Sequence, residues 1–173
     1  MEEIEIKGRY NETGFILGNL HKNILKKIEE KVVDNIKVDA EKIKNYEKCL
    51  ERFSFLREEV ENYCKGADIK FENLLKIKLG DFNIPKFSCS SLLLKNGDKN
   101  IIAMKIRDQL PLPQYICKKQ NENKIPYFFS GSISDIGYGF FIKENGFLGI
   151  NNTGSFLKDE FLNQYGFDDC DIM

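Results

Sequence analysis

Charged and apolar residues alternate from Glu3 to Lys7, the period of a short strand. The run from Gly8 to Gly14 then leads into a segment with apolar positions at Ile16, Leu17, Leu20, Ile24, Ile28 and Val32. These recur at helical spacing. Asp39 is placed to cap the next helix. Ile43, Tyr46, Leu50, Phe53, Leu56, Val60 and Tyr63 follow at steps of three and four, which predicts one long amphipathic helix ended by Gly66. A shorter helical segment is predicted over residues 71–79.

The pattern changes after a loop over residues 80–86. Residues 87–95 read as a buried-type strand, Asn96-Gly97-Asp98 as a hairpin turn, and residues 100–106 as the return strand. Pro111 and Pro113 break the next segment. Residues 126–130, 138–143 and 147–151 read as further strands, the last two joined by Glu144-Asn145-Gly146. Helices first and an antiparallel sheet afterwards is the α+β pattern. Residues 155–165 have helical character, and Asp168 to Met173 resembles the cap and first turn of another helix. A helix with a start and no body is not stable alone. The expectation is therefore a single domain over residues 1–173, incomplete at its C-terminal side.

Composition narrows the function classes. A chain of 173 residues with 42% hydrophobic content, 14 Phe and 7 Tyr has the material for a real core. Its 26 basic and 27 acidic residues nearly cancel, leaving no electrostatic footprint for nucleic acid or an anionic membrane. No basic start with an apolar run marks a signal peptide, and no apolar stretch is long enough to span a bilayer, so the expected location is cytoplasmic. Five scattered cysteines without a Cys-x-x-Cys pair point away from zinc and from a disulfide framework. His21 is the single histidine, in a helical pattern, and a surface or core role fits it better than ligation. No cofactor or metal is implied.

The candidate for chemistry is Cys89, in Phe87-Ser88-Cys89-Ser90-Ser91, at the boundary between loop and strand. On residues alone two roles stay open: a small core residue, or a nucleophile held rigidly at a strand end. The serines around it are polar, and the predicted hairpin returns Lys105, Arg107 and Asp108 towards it. A surface ion pair among these three, and an ordinary turn at Asn151-Asn152, are the plain alternatives. A redox-sensing thiol is a third reading, with Cys117 as its partner.

The chain resembles the acyl-coenzyme A:6-aminopenicillanic acid acyltransferase family of self-processing N-terminal-nucleophile enzymes. More distantly it is similar to the choloylglycine hydrolases and other linear-amide C–N hydrolases. The resemblance rests on a Gly-x-x-x-Glu-x-Gly-x-x-x-Gly run from Gly8 to Gly18, on residues 59–79, on Cys89-Ser90-Ser91, and on the segment from Lys143 to Asn152. It implies an αββα sandwich in which residues 1–88 are a helical pro-segment or α chain and 89–173 begin the catalytic β chain. It further implies cleavage between Ser88 and Cys89, in a family where glycine is commoner at the position of Ser88. Cys89 would then be the nucleophile, with its own α-amino group as base. Asp108 matches the aspartate that steadies that amine. Lys105 stands in an arginine's place, or Arg107 takes the role. Asn152, or its neighbour Asn151, matches an oxyanion-hole donor. The implied substrate is a small-molecule amide or an acyl-CoA thioester, and the implied partner is either a second copy or a completing chain. The alternative function is a shortened, non-catalytic relative that acts in assembly.

Overall fold

The structure, a computed structural model, describes residues 3–32, 36–79, 89–96, 100–107, 114–132 and 140–150. Strand β1 (Glu3–Gly8) is followed by helices α1 (Tyr10–Val32), α2 (Ala40–Arg52), α3 (Ser54–Ala67) and α4 (Phe71–Leu79). Strands β2 (Cys89–Asn96), β3 (Asn100–Arg107), β4 (Gln114–Asn121), β5 (Tyr127–Ser132), β6 (Phe140–Lys143) and β7 (Leu148–Ile150) complete the described elements. The α+β class holds. The helix-like stretch over residues 155–165 and the cap at Asp168 lie outside the described residues.

The expected order of helices first and an antiparallel sheet afterwards needs correction. β1 precedes the helices yet belongs to the main sheet, whose order is β1-β4-β5-β6-β7. It pairs parallel to β4, with Ile4 opposite Cys117 and Ile6 opposite Lys119, while β4 to β7 pair antiparallel. The sheet is therefore mixed. A parallel pair needs a long crossover, and the helical layer is part of that crossover. β2 and β3 form a separate two-stranded sheet.

The single long helix predicted from Asp39 to Gly66 is two helices broken at Phe53, whose backbone leaves the helical region at φ −121°, ψ 79°. The reason is tertiary. α1 and α3 run parallel, with Tyr10 beside Phe55, Gly14 against Glu59, Gly18 against Tyr63, and Lys22 ion-paired to Asp68. To align with α1 in this way, the chain must first return from the far end of α1 to its start. α2 lies on that return path, and the reversal at Phe53 launches α3. Asp39 does cap α2, accepting a hydrogen bond from the Glu41 amide at 2.8 Å.

Gly66 does not end α3. The helix continues to Ala67 and stops at Asp68, which adopts the left-handed conformation. Gly66 instead lets α3 meet the backbone of α1 at Phe15 and Asn19, as Gly14 and Gly18 do from the other side. A Cβ at any of the three would drive into a backbone carbonyl oxygen of the facing helix. Beneath the helices, Ile6, Tyr115, Cys117, Phe129 and Phe141 of the sheet share one core with Leu17, Leu25, Tyr46, Val60, Tyr63 and Leu74. Among the described residues no helix is long and apolar enough to cross a membrane.

Candidate functional site

Cys89 is the first residue of β2, and its register partner across the hairpin is Arg107, the last residue of β3. Two positions further along, Ser91 stands opposite Lys105. Directly opposed residues share a face, as do residues two apart on one strand. Cys89, Ser91, Lys105 and Arg107 therefore occupy one face at the open end of the ribbon. The other face carries Leu92, Leu94, Ile102 and Met104. The backbone thus brings a thiol position together with two cationic positions. Ser88, Asp108, Asn151 and Asn152 lie outside the described residues.

The chain matches no family model and no curated protein. The site must speak for itself.

The Gly8-to-Gly18 run has local structural work. Gly8 turns the chain from β1 into α1 at φ +144°, a conformation that favours glycine. The Glu12 carboxylate reaches back to accept a hydrogen bond from the Arg9 amide at 2.8 Å, half of a capping box. Gly14 and Gly18 are the close-approach positions already described. Every element of this motif has a packing or capping explanation.

Sequence reasoning did not anticipate a polar cluster in the core between α1, α3 and β4. Lys119 and Glu59 form an ion pair with both side chains almost completely sealed from solvent. Next to it, the Asn121 amide donates to the Thr13 hydroxyl at 3.2 Å, and that hydroxyl donates to the Tyr10 carbonyl at 3.1 Å. Burial pushes the Tyr10 phenol up, and the Glu59 charge adds to the shift. The only signal for this cluster was the alternation in Gln114-Tyr115-Ile116-Cys117-Lys118-Lys119-Gln120-Asn121, which places Lys119 and Asn121 on the same face as Tyr115 and Cys117. Lys at a core position is rare enough that the pattern does not read as a strand.

His21 is buried in the same core, as one of its two expected roles. Its Nδ1 lies 2.8 Å from the Tyr63 hydroxyl, and its ring packs against Tyr115 at 4.7 Å between centroids. Burial holds its pKa down, at about 4, so the imidazole is neutral at ordinary pH. It is committed to the helix–sheet packing. Cys117, the expected redox partner, lies buried on the helix-facing side of β4, and burial raises its thiol to about 12. A reactive sensor needs the opposite environment.

A cleft of about 420 Å³ opens at the β1–α1 turn, bordered by Arg9, Glu12, Asn121 and Glu122. Its charged groups are partnered: Arg9 Nε donates to Glu122 at 3.0 Å, Glu12 caps the Arg9 amide, and Lys7, which also lines it, pairs with Glu5 at 3.1 Å. Among the described residues no group of His, Cys, Asp and Glu is arranged to hold a metal.

Proposed function

We propose that the chain is a self-processing cysteine N-terminal-nucleophile enzyme, acting on a non-peptide amide or an acyl-CoA thioester. The observation that carries this reading is the position of Cys89 at the first residue of β2, with Arg107 opposite and Lys105 on the same face. A strand end is a position at which a nucleophile can be held in place. Cationic positions opposite it and two residues along the same face would favour a thiolate. The layering supports it as well, since among the described elements the helices cover only one face of the main sheet. The finer architecture, an αββα sandwich, belongs to this proposal.

In this mechanism the Cys89 sulfur attacks the Ser88 carbonyl carbon, and the peptide nitrogen departs as the new α-amine. Water hydrolyses the resulting thioester, leaving a carboxylate on Ser88 and a free thiol on Cys89. The α-amine, with a pKa near 8, then takes the thiol proton when substrate binds. The thiolate attacks the substrate carbonyl, the amine or coenzyme A thiol leaves with that proton, and water or an acceptor amine collects the acyl group. Asp108 steadies the ammonium form, Arg107 or Lys105 supplies the cation, and Asn152 or Asn151 donates to the oxyanion. Loss of one such donor costs about 3 kcal/mol in the transition state.

Intact mass tests the reading. Two fragments meeting between Ser88 and Cys89, and a single uncut species for Cys89→Ala, are the expected result. A wild-type chain that remains whole and does not react with thiol probes overturns it. The second reading, a non-catalytic assembly partner, is favoured by the exposed apolar face of the hairpin. An uncut chain found in a stable complex would select it.

A further inference from the structure

We propose that the β2–β3 hairpin docks on the main sheet of a second copy of this chain, reciprocally, to give a twofold dimer. Leu92, Leu94, Ile102 and Met104 form a four-residue apolar face and are 47, 47, 54 and 47% exposed. Leu92 pairs with Met104 and Leu94 with Ile102, so the four are contiguous across the ribbon. Among the described elements the hairpin's extensive packing is between its own two strands. A two-stranded ribbon on its own is marginal in water, and such a face needs a cover.

The same chain carries the matching surface. On the side of the five-stranded sheet away from the helices lie Ile116 of β4, Phe128 of β5, Phe140 and Ile142 of β6 and Leu148 of β7. Phe128, Ile142 and Leu148 stand side by side in one row. Ile116 and Ile142 are 37 and 39% exposed, and the other three are partly buried. The charged positions of this side are Glu3, Glu5 and Lys7 on the edge strand β1 and Lys118 of β4, whose ammonium lies 5.4 Å from the Phe128 ring centroid and pairs with Glu144. Two apolar β-faces stack about 10 Å apart with their side chains interdigitated.

Among the described elements the hairpin and the main sheet share no extensive contact, so the hairpin does not cover its own sheet there. A second copy supplies both missing covers in one association, each hairpin lying on the other chain's sheet, as twofold symmetry requires. The area suffices. Two eight-residue strands, at ~3.3 Å per residue and ~4.8 Å between strands, offer a footprint of about 250 Å². Reciprocal docking uses four such faces, about 1,000 Å² in all, the lower bound for a specific interface. Cys89 lies at a position on the opposite face of the ribbon, and the second sheet of the proposed sandwich is here supplied by the partner's hairpin, so the inference shares that layering.

Light scattering coupled to size exclusion tests the proposal, with charge-swapped variants and with Cys89→Ala as an uncut background. The wild type is expected at twice the chain mass. Leu92→Glu with Ile102→Glu on the hairpin, and separately Ile116→Lys with Ile142→Lys on the sheet, should each run at the chain mass with unchanged circular dichroism. An equimolar mixture of the two variants should recover the dimer, because one contact becomes Glu against Lys and the other is native. A monomeric wild type, variants that stay dimeric, or a mixture that stays monomeric overturns it. Should a variant fail to fold, cross-linking of separately prepared Leu94→Cys and Ile142→Cys chains, each also carrying Cys89→Ala and Cys170→Ala, gives the same decision. A covalent heterodimer supports the proposal and its absence refutes it.

Discussion

Lys119 of β4 and Glu59 of α3 form an ion pair closed off from water, which ties helix α3 to the sheet. Both charges had to be desolvated, and each is compensated chiefly by the other. The backbone carbonyl of Glu59 is also what faces Gly14 of α1. Glu59 therefore joins α3 to the sheet through its side chain and to α1 through its backbone.

Removing a single partner should be far costlier than removing both. Lys119→Met is expected to lose about 3–5 kcal/mol, because it strands the Glu59 carboxylate in the core. The double variant Glu59→Leu/Lys119→Met should lose much less than the sum of the single changes. Urea unfolding of the four-member cycle measures the coupling.

Gly18→Ala should be destabilising, against helix propensity. Alanine in a helix interior ordinarily gains about 1 kcal/mol over glycine. Here its methyl meets the Tyr63 carbonyl and the Ala67 amide, both backbone, so the helices must part. A net loss of about 1–3 kcal/mol is expected from such overpacking, read from the urea midpoint.

Acid should destabilise the fold through His21. Its folded-state pKa is lowered to about 4 by burial, whereas an unfolded histidine titrates near 6.5. The unfolded chain thus takes up the proton first. His21's contribution is complete above about pH 6.5, declines as the pH falls, and levels off below the folded value. The decline amounts to about 3 kcal/mol. His21→Gln should flatten this part of the stability–pH curve, as followed by urea unfolding between pH 7 and 4.

Thiol reactivity should divide the cysteines. Cys64 and Cys117 are buried, with thiols pushed up to about 12, and both should resist iodoacetamide at pH 8 until the chain unfolds. Cys89, beside two cationic positions on its ribbon face, should be alkylated first under the proposed function. Peptide mapping of a time course orders the sites. Rapid labelling of Cys117 in the native chain would contradict the core placement.

Several local features were legible in the residues. The alternation at Glu3 to Lys7 became β1, Asp39 became a helix cap, and Gly146, at φ +87°, turns the β6–β7 hairpin. The hairpin starting at Cys89 was expected to within two residues at its start. β4 was not foreseen, since a strand after two prolines with three lysine or glutamine residues near its end reads as exposed loop. Of the candidate site, the return of Lys105 and Arg107 towards Cys89 was expected from the turn chemistry, with Arg107 one residue beyond the predicted strand, while the buried Lys119–Glu59 pair left no sign beyond the alternation along β4. A lysine's burial depends on a partner 60 residues away.

What the amino-acid order alone determined was short-range: periodicity, caps and turns, each set by neighbours within a few residues and by the steric limits of the backbone. Only the tertiary structure decided that the helix breaks at Phe53, that β1 joins β4 in parallel, and that β2–β3 stands apart from the main sheet. Those outcomes depend on which distant surfaces bury each other, a competition among whole faces that no local window contains.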